Sequence, residues 1–525
     1  MKIFMLVFSL MCWHIGQCQN QPVEDIFCHV SSTNLIVGER LYFSAHTFPQ
    51  YESPSNLLYA ELVDSEGNGR QKVKIQLIQG RGHGYFTIPT ELASGIYRLV
   101  AYTRWMMNFD TWFSQPIVVL NPYRPVVSDF PLVSDSLIAV DDIVSPANLK
   151  RIKTMEEVSI QLDVKPGSYS LSVSKLHDGF FSNIPGKGTS YSIPSPQVRL
   201  VPEYQFGVIQ GRVREVTRPT KVMASFPGHE MEVGIATTDS AGHFALFYDH
   251  ENIVGDGFLR FETGTEYSIE LEKEFYPKYP SLGIETNKAD TSLLNEIKER
   301  SIQNQLMRAY RTLAEKDGDV NSRYLPIEQA KTYRLDDFKR FESMRETFIE
   351  LIFEVAVSKN ESDFQPRMRS RPVAGVEKDE IATLCLLDGI VVDSRQIFAI
   401  SPYQIEKIEV FSELYFLGSS GFDGVISVHT RNGDLAGLNI GDRKLGIRPI
   451  LRPDQNQIRI ATDPNSRAPF YHDLLYWDPI VNHTGGELSF GFSSSETTGI
   501  YEIRLSGTDE EGNHVNQSQY LSVSN

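Results

Sequence analysis

Cysteine is scarce in this chain of 525 residues, with four in all, and Cys12 and Cys18 belong to an apolar N-terminal stretch. That leaves Cys28 and Cys385, each inside an apolar strand pattern and far apart in sequence. The two read as small core hydrophobes, and disulfides do not hold the fold together. Positive charge is also short: 50 Lys and Arg against 67 Asp and Glu give a net charge of −17. A surface of that sign argues against binding nucleic acid or anionic lipid through bulk electrostatics. Beyond the N-terminus no apolar run approaches the roughly 20 residues of a membrane-spanning helix, so no transmembrane span is expected.

Chemical motifs are missing as well. The histidines stand singly, with no His-x-x-x-His or Glu-x-x-His pair to hold zinc. Gly418-Ser419-Ser420-Gly421 is one residue short of a nucleophile elbow. The segments Gly80–Gly84 and Gly418–Gly424 lack the lysine of a phosphate loop. The carboxylate pairs Asp141-Asp142 and Asp336-Asp337 and the run Asp509-Glu510-Glu511 read as solvated turns, and Asp239 as a turn cap rather than a calcium ligand. No catalytic residue, metal or cofactor is assigned, and the chain is expected not to be an enzyme.

What is present begins with MKIFMLVFSLMCWHIGQC, one positive charge followed by an apolar run too short to span a bilayer, then small or polar residues. This is the pattern of a signal peptide over residues 1–18, so the protein is expected to be exported. Gly16 and Cys18 suit cleavage before Gln19. Acylation of Cys18 is the rival reading, opposed by Gln17, where such signals place a small residue.

The rest is too long for one core. From Val23 to Pro122, short alternating segments recur with turn signals every eight to twelve residues, for example Leu41, Phe43, Ala45 after Val37-Gly38-Glu39; this is the signature of a β-sandwich. The pattern Gly-x-Tyr-x-aliphatic occurs three times, at Gly95-Ile96-Tyr97, Gly167-Ser168-Tyr169 and Gly499-Ile500-Tyr501. Each ring is expected in a core and each hydroxyl bonded at the sheet edge, within repeated domains rather than solenoid repeats. Between Asp290 and Ala314 the spacing turns helical, and Ser343-Met344-Arg345-Glu346 announces a second helix by a capping box. The polar stretch Ser358–Glu380 reads as a loop.

Several of these segments resemble known families. The "Gly-Glu, aromatic strand" opening and the Gly-x-Tyr-x-Leu strand at Gly95–Leu99 resemble the macroglobulin-type domain. The order Gly211-Arg212-Val213, then Thr238-Asp239 through Gly242 to Phe244, resembles the carboxypeptidase regulatory-type sandwich. Leu387-Asp388-Gly389, Ile405–Val410 and Gly421-Phe422-Asp423-Gly424-Val425-Ile426 resemble the plug of TonB-dependent receptors, here with too few residues after it for a barrel. The macroglobulin superfamily's Cys-Gly-Glu-Gln thioester loop is absent. The implied order is a macroglobulin-type sandwich at 19–123, a second sandwich at 124–200 and a regulatory-like sandwich at 201–280. A helical region at 281–345, a plug-like α+β domain at 346–440 and a C-terminal sandwich at 441–525 follow. The fold class expected is mainly β, with Ig-like or macroglobulin-type sandwiches in tandem.

Trp105, Met106, Phe109 and Trp112 form an apolar group just after a strand end, and Tyr415-Phe416-Leu417 another in the plug-like segment. Both groups are read as core or as exposed anchors for a protein partner. The resemblance implies a non-enzymatic scaffold at the outer membrane, cell surface or periplasm of a Gram-negative envelope, its partner an outer-membrane β-barrel or associated complex. The alternative is a glycan- or nutrient-binding accessory protein, favoured if Trp105, Trp112 or Trp477 cluster on one open face.

Overall fold

The computed structural model describes residues 24–48, 55–124, 149–177, 200–204, 207–226, 232–248, 257–261, 268–282, 298–306, 329–357, 366–369, 382–417, 420–438 and 470–525, with strand pieces at 130–131, 286–287, 444–445, 450–451 and 458–459. The expected signal peptide, Asp141-Asp142, Gly418-Ser419 and both ends of the expected helix 290–314 lie outside these. The chain is mainly β and divides into two compact units, one built from 1–202, 278–312 and 452–525, the other from 203–277 and 313–451.

The first unit opens with a sandwich of strands β1 (Ile26–Val30), β2 (Asn34–Ile36), β3 (Arg40–Thr47), β4 (Leu57–Val63), β5 (Gly69–Gln76), β6 (Arg81–Thr87), β7 (Gly95–Tyr102) and β8 (Phe113–Leu120). One sheet runs β1-β3-β6 and the other β2-β8-β7-β4-β5. Leu41, Phe43, Leu62 and Leu99 are completely buried. The β4–β5 turn is set by Asp64, whose Oδ1 accepts the N–H groups of Glu66 and Asn68 at 3.0 and 2.8 Å. Gly67 there has φ +89°, and a Cβ at that position would meet the Tyr279 carbonyl at 2.0 Å, so no other residue fits. Asp239 Oδ1 accepts from Ala241 and His243 at 2.9 and 2.8 Å, and Asp509 Oδ1 from Asn513 at 2.8 Å. All three aspartates are turn caps.

The segments 124–200 and 441–525, expected as two sandwiches, form one through their described strands within 149–177 and 470–525. Gly167–Lys175 lies between Leu474–His483 and Gly499–Asp509, pairing antiparallel with both. Glu157–Asp163 pairs with Glu487–Ser493 in the covering layer. Val173, Leu505, Tyr169 and Tyr501 fill a common core with Phe490 and Phe492. Alternation marks a strand but not its partner, so two half-sandwiches look like two domains. Two of the three Gly-x-Tyr strands therefore share one domain. All three tyrosines are buried, and each hydroxyl donates to the carbonyl four residues back, Tyr97 to Ala93, Tyr169 to Lys165 and Tyr501 to Thr497.

The second unit begins with a sandwich whose sheets are ordered His243–Tyr248, Gly207–Val213, Ile269–Leu271 and Glu232–Thr237, Lys221–Phe226, Gly257–Phe261, packed through Val213, Phe226, Leu246 and Tyr248. Next comes a five-stranded sheet ordered Lys331–Arg334, Ile405–Phe411, Val425–Thr430, Leu384–Leu387, Ile390–Val391. Helices Met344–Leu351 and Ser394–Phe398 cover one face through Phe348 and Ile397. Ser343 caps the first helix by accepting the Glu346 N–H; a reciprocal capping box forms at Asp393 and Gln396 instead. Part of the expected loop 358–380 is a strand: Pro366–Met368 pairs with Val355–Val357, and Met368 is buried. Buried Pro366 and Met368 alternate with Arg367 and Arg369 over four residues only, too short a run to mark a strand from sequence.

Candidate interaction surfaces

The sheet of the second unit is framed by two buried carboxylates. Asp388 follows the apolar strand Leu384–Leu387 and takes φ +46°, with Gly389 next at φ +86°. Its side chain accepts the Thr430 N–H at 2.8 Å, the Thr430 hydroxyl at 2.5 Å and the Leu435 N–H at 2.9 Å. Asp423, in the Gly-rich link, accepts the Met368 N–H at 3.1 Å and the Thr383 hydroxyl at 2.7 Å. Both carboxylates satisfy backbone donors at chain reversals, which makes the Leu-Asp-Gly turn a structural device.

The face away from the helices is apolar at one end, where Leu384, Leu386, Val391 and Val425 meet Met223, with Val233 and Ile235, of the adjoining sandwich. The Val391 N–H donates to the Ser225 hydroxyl at 2.7 Å, and Arg260 pairs with Asp393 at 3.1 Å. At the other end Glu409, Ser427 and His429 come together. Ser427 Oγ lies 3.1 Å and Glu409 Oε2 2.8 Å from the same nitrogen, His429 Nε2. A relay needs nucleophile and acid on opposite ring nitrogens, so this trio does not form one. Burial works against ionising Glu409, but hydrogen bonds from His429 and Lys407 hold its carboxyl below the usual range. Burial pushes the Cys385 thiol up to about 12, and both Cys28 and Cys385 are free and buried, inert positions for a thiol. Among the described residues no group of three or more His, Cys, Asp or Glu is placed to hold a metal ion, and no helix is long and apolar enough to cross a membrane.

The two apolar groups singled out from sequence fare differently. Trp105, Met106 and Trp112 are buried; Trp105 meets the half-buried Phe109 edge-on at 5.5 Å, and Trp112 meets Tyr279 at 5.4 Å. All three are core, and Trp112 is covered by the segment 278–282, which folds back over the first sandwich: Tyr279 bonds the Gly67 carbonyl and the Glu61 carboxylate, and Leu282 the Ser65 carbonyl. Nothing local to residues 105–112 shows that cover. In the second group Tyr415 and Leu417 are half-buried against the apolar end of the sheet, and Phe416, between them, is 62% exposed. Sequence reading missed Phe338, Ile349, Phe353 and Tyr403, all exposed and all in this unit, Phe353 most at 67%. The guanidinium of Arg340 bonds the carbonyls of Pro402 and Ile405, holding the Phe338 segment beside the Tyr403 turn. The one available signal was Ile349 and Phe353, four apart and off the Phe348 face.

No family model matches the chain, and no curated protein matches it. Among solved structures, trypsin-activated alpha-2-macroglobulin from Escherichia coli aligns over 96% of this chain and 42% of its own length, at 9% identity and a TM-score of 0.25. The native conformation of the E. coli protein aligns over 96% and 40%, also at 9% identity and 0.25. Salmonella alpha-2-macroglobulin reacted with methylamine aligns at 8% identity and 0.17. The chain spans about two fifths of the length of the E. coli macroglobulins it aligns with. Superposition at these scores is loose, and the sandwich architecture stands on the strand pairing described above.

Proposed function

We propose that this is a non-enzymatic, exported scaffold that binds a protein partner at the outer membrane, docking through the plug-like sheet of the second unit. The observation that carries the reading is the set of large apolar side chains left in solvent there, Phe338, Ile349, Phe353, Tyr403 and Phe416. Exposed aromatics of this kind are the anchors that protein interfaces bury. The partner proposed is an outer-membrane β-barrel or its associated complex, an analogy resting on the resemblance of Leu387-Asp388-Gly389 and Gly421–Ile426 to a receptor plug. Affinity purification of the tagged chain from gently solubilised envelopes should recover a stoichiometric outer-membrane barrel, and the Phe353→Asp/Phe416→Asp variant should lose it. Recovery of the chain alone counts against the proposal.

The glycan-binding alternative called for tryptophans on an open face. Trp105, Trp112 and Trp477, the three among the described residues, are at most 9% exposed, which favours the protein-binding reading.

A further inference from the structure

The two sandwiches of the first unit meet through polar faces. On the second sandwich, Ser168, Ser170, Ser172 and Ser174 alternate along one strand opposite Thr508, Ser506, Arg504 and Glu502 of the next. Such a row reads as solvent-facing, yet Ser170 and Ser172 are buried. What covers them is the β1-β3-β6 sheet of the first sandwich, carrying His29, Ser44, His46 and, beside Ser44, His83. His29 Nδ1 is 2.8 Å from Ser170 Oγ and its Nε2 2.9 Å from Ser172 Oγ. Ser44 donates to the Pro479 carbonyl at 2.9 Å, and Trp477 lies 5.1 Å from the His29 ring. His46 stacks on Phe27, which also touches His514.

This joint accommodates neutral imidazole and not imidazolium. Ser170 spends its proton on the Ser506 carbonyl, so it accepts at His29 Nδ1, and Ser172 must donate to Nε2. A second proton on His29 would fall on Nε2, force the Ser172 hydroxyl to turn its own proton away, and bury a charge beside Arg504. Nδ1 of His46 is buried without a hydrogen-bond partner, so a proton there would be a buried orphan. The charges acting on the rings are cationic, Arg504 on His29 and Arg81 on His46; Arg81 itself bonds Ser168 and Asn482 across the joint. Glu502, the carboxylate of that face, acts on Arg504 and bonds Ser518. His514 at the rim is also near Arg504.

We propose that the joint is a proton-released latch, in which mild acidification parts the β1-β3-β6 sheet from the serine-lined face while each sandwich stays folded. Burial is the largest cause of the depression of both rings, His46 to about 3 and His29 well below its ordinary value. Below about pH 6.5, each ring kept neutral weakens the closed joint up to about tenfold per pH unit. The other end is clasped by Arg300, which pairs with Glu39 of the first sandwich at 2.9 Å and Asp473 of the second at 2.8 Å. Arg300 holds the Asp473 carboxyl well below the usual range, and this clasp keeps the sandwiches joined when they part.

The test is acrylamide quenching of Trp477 in the full chain, taken as wild type minus Trp477→Phe, with small-angle scattering and far-ultraviolet circular dichroism at pH 7.5 and 5.0. Expected are a severalfold rise in Trp477 quenching and a larger radius of gyration at pH 5.0, with unchanged secondary structure. His46→Gln should open less than wild type at pH 5.0, since only His29 still drives the parting. If that variant does not fold, His514→Gln at the exposed rim should open only at lower pH than wild type. Equal quenching at both values overturns the proposal, as does opening of the glutamine variant in step with wild type or loss of secondary structure together with opening.

Discussion

Tyr169 donates its hydroxyl to the carbonyl of Lys165 at 2.8 Å while its ring is fully buried in the second sandwich. The bond ties the core to the turn that enters the strand, and Tyr501 repeats it from the neighbouring strand with an extra partner, Ser495 Oγ at 3.0 Å. Tyr169→Phe is expected to cost about 1 kcal/mol, and Tyr501→Phe about 1–2 kcal/mol, because more partners lose their bond. The two rings sit at opposite ends of the paired strands, so the double variant should be additive. Urea midpoints at unchanged m-value check both.

Arg300 is expected to matter more than any single hydrogen bond. It is buried, and it joins Glu39, Asp473 and the Asn34 carbonyl. Burial opposes ionisation of Asp473, but Arg300 and then His177 hold that carboxyl well below the usual range. Arg300→Met leaves the carboxylates without it and should cost about 3–5 kcal/mol. Adding Asp473→Asn should recover part of the loss in a double-mutant cycle read by thermal unfolding.

Acid stability follows from His29 and His46. Both have depressed values when folded, so the unfolded chain binds more protons between the ordinary value near 6.5 and the folded one, about 3 for His46. Stability is therefore full above pH 6.5 and declines as pH falls through that window, by up to about 1.4 kcal/mol per unit for each ring. Urea titrations at pH 7.5 and 5.0 should show the decline, and His46→Gln should make it shallower by up to half, leaving the part due to His29.

At the Leu-Asp-Gly turn, Asp388→Ala strands three donors that now end on the carboxylate. A loss of about 2–4 kcal/mol is expected. Gly389→Ala, at φ +86°, should cost about 1–2 kcal/mol through strain alone. Chemical denaturation that follows the second unit separates the two, since only the first removes hydrogen bonds.

Much of this was legible locally. The Gly-x-Tyr strands, the Asp turn caps and the strand–turn–helix order from Leu384 to Thr430 are written in alternation and turn chemistry, which act over a few residues. What was not legible depends on distant partners. Gly167–Lys175 pairs with strands more than 300 residues later, and alternation carries no record of that choice. Trp112 looks like an anchor until Tyr279 covers it, and Ser170 and Ser172 look solvated until His29 lies on them.

The interrupted second sandwich has a consequence for biosynthesis. Its central strand, Gly167–Lys175, leaves the ribosome early, but its two neighbours, Leu474–His483 and Gly499–Asp509, follow about 300 residues later. Until these arrive, Tyr169, Leu171 and Val173 have no sheet to join. The whole second unit is made in the meantime and can fold first, because its segments close on themselves. Synthesis of Leu474–Asp509 is thus the event that seals the first unit, and a chain cut short anywhere before Leu474 leaves an apolar strand waiting for a partner, the state most prone to pair with a stranger.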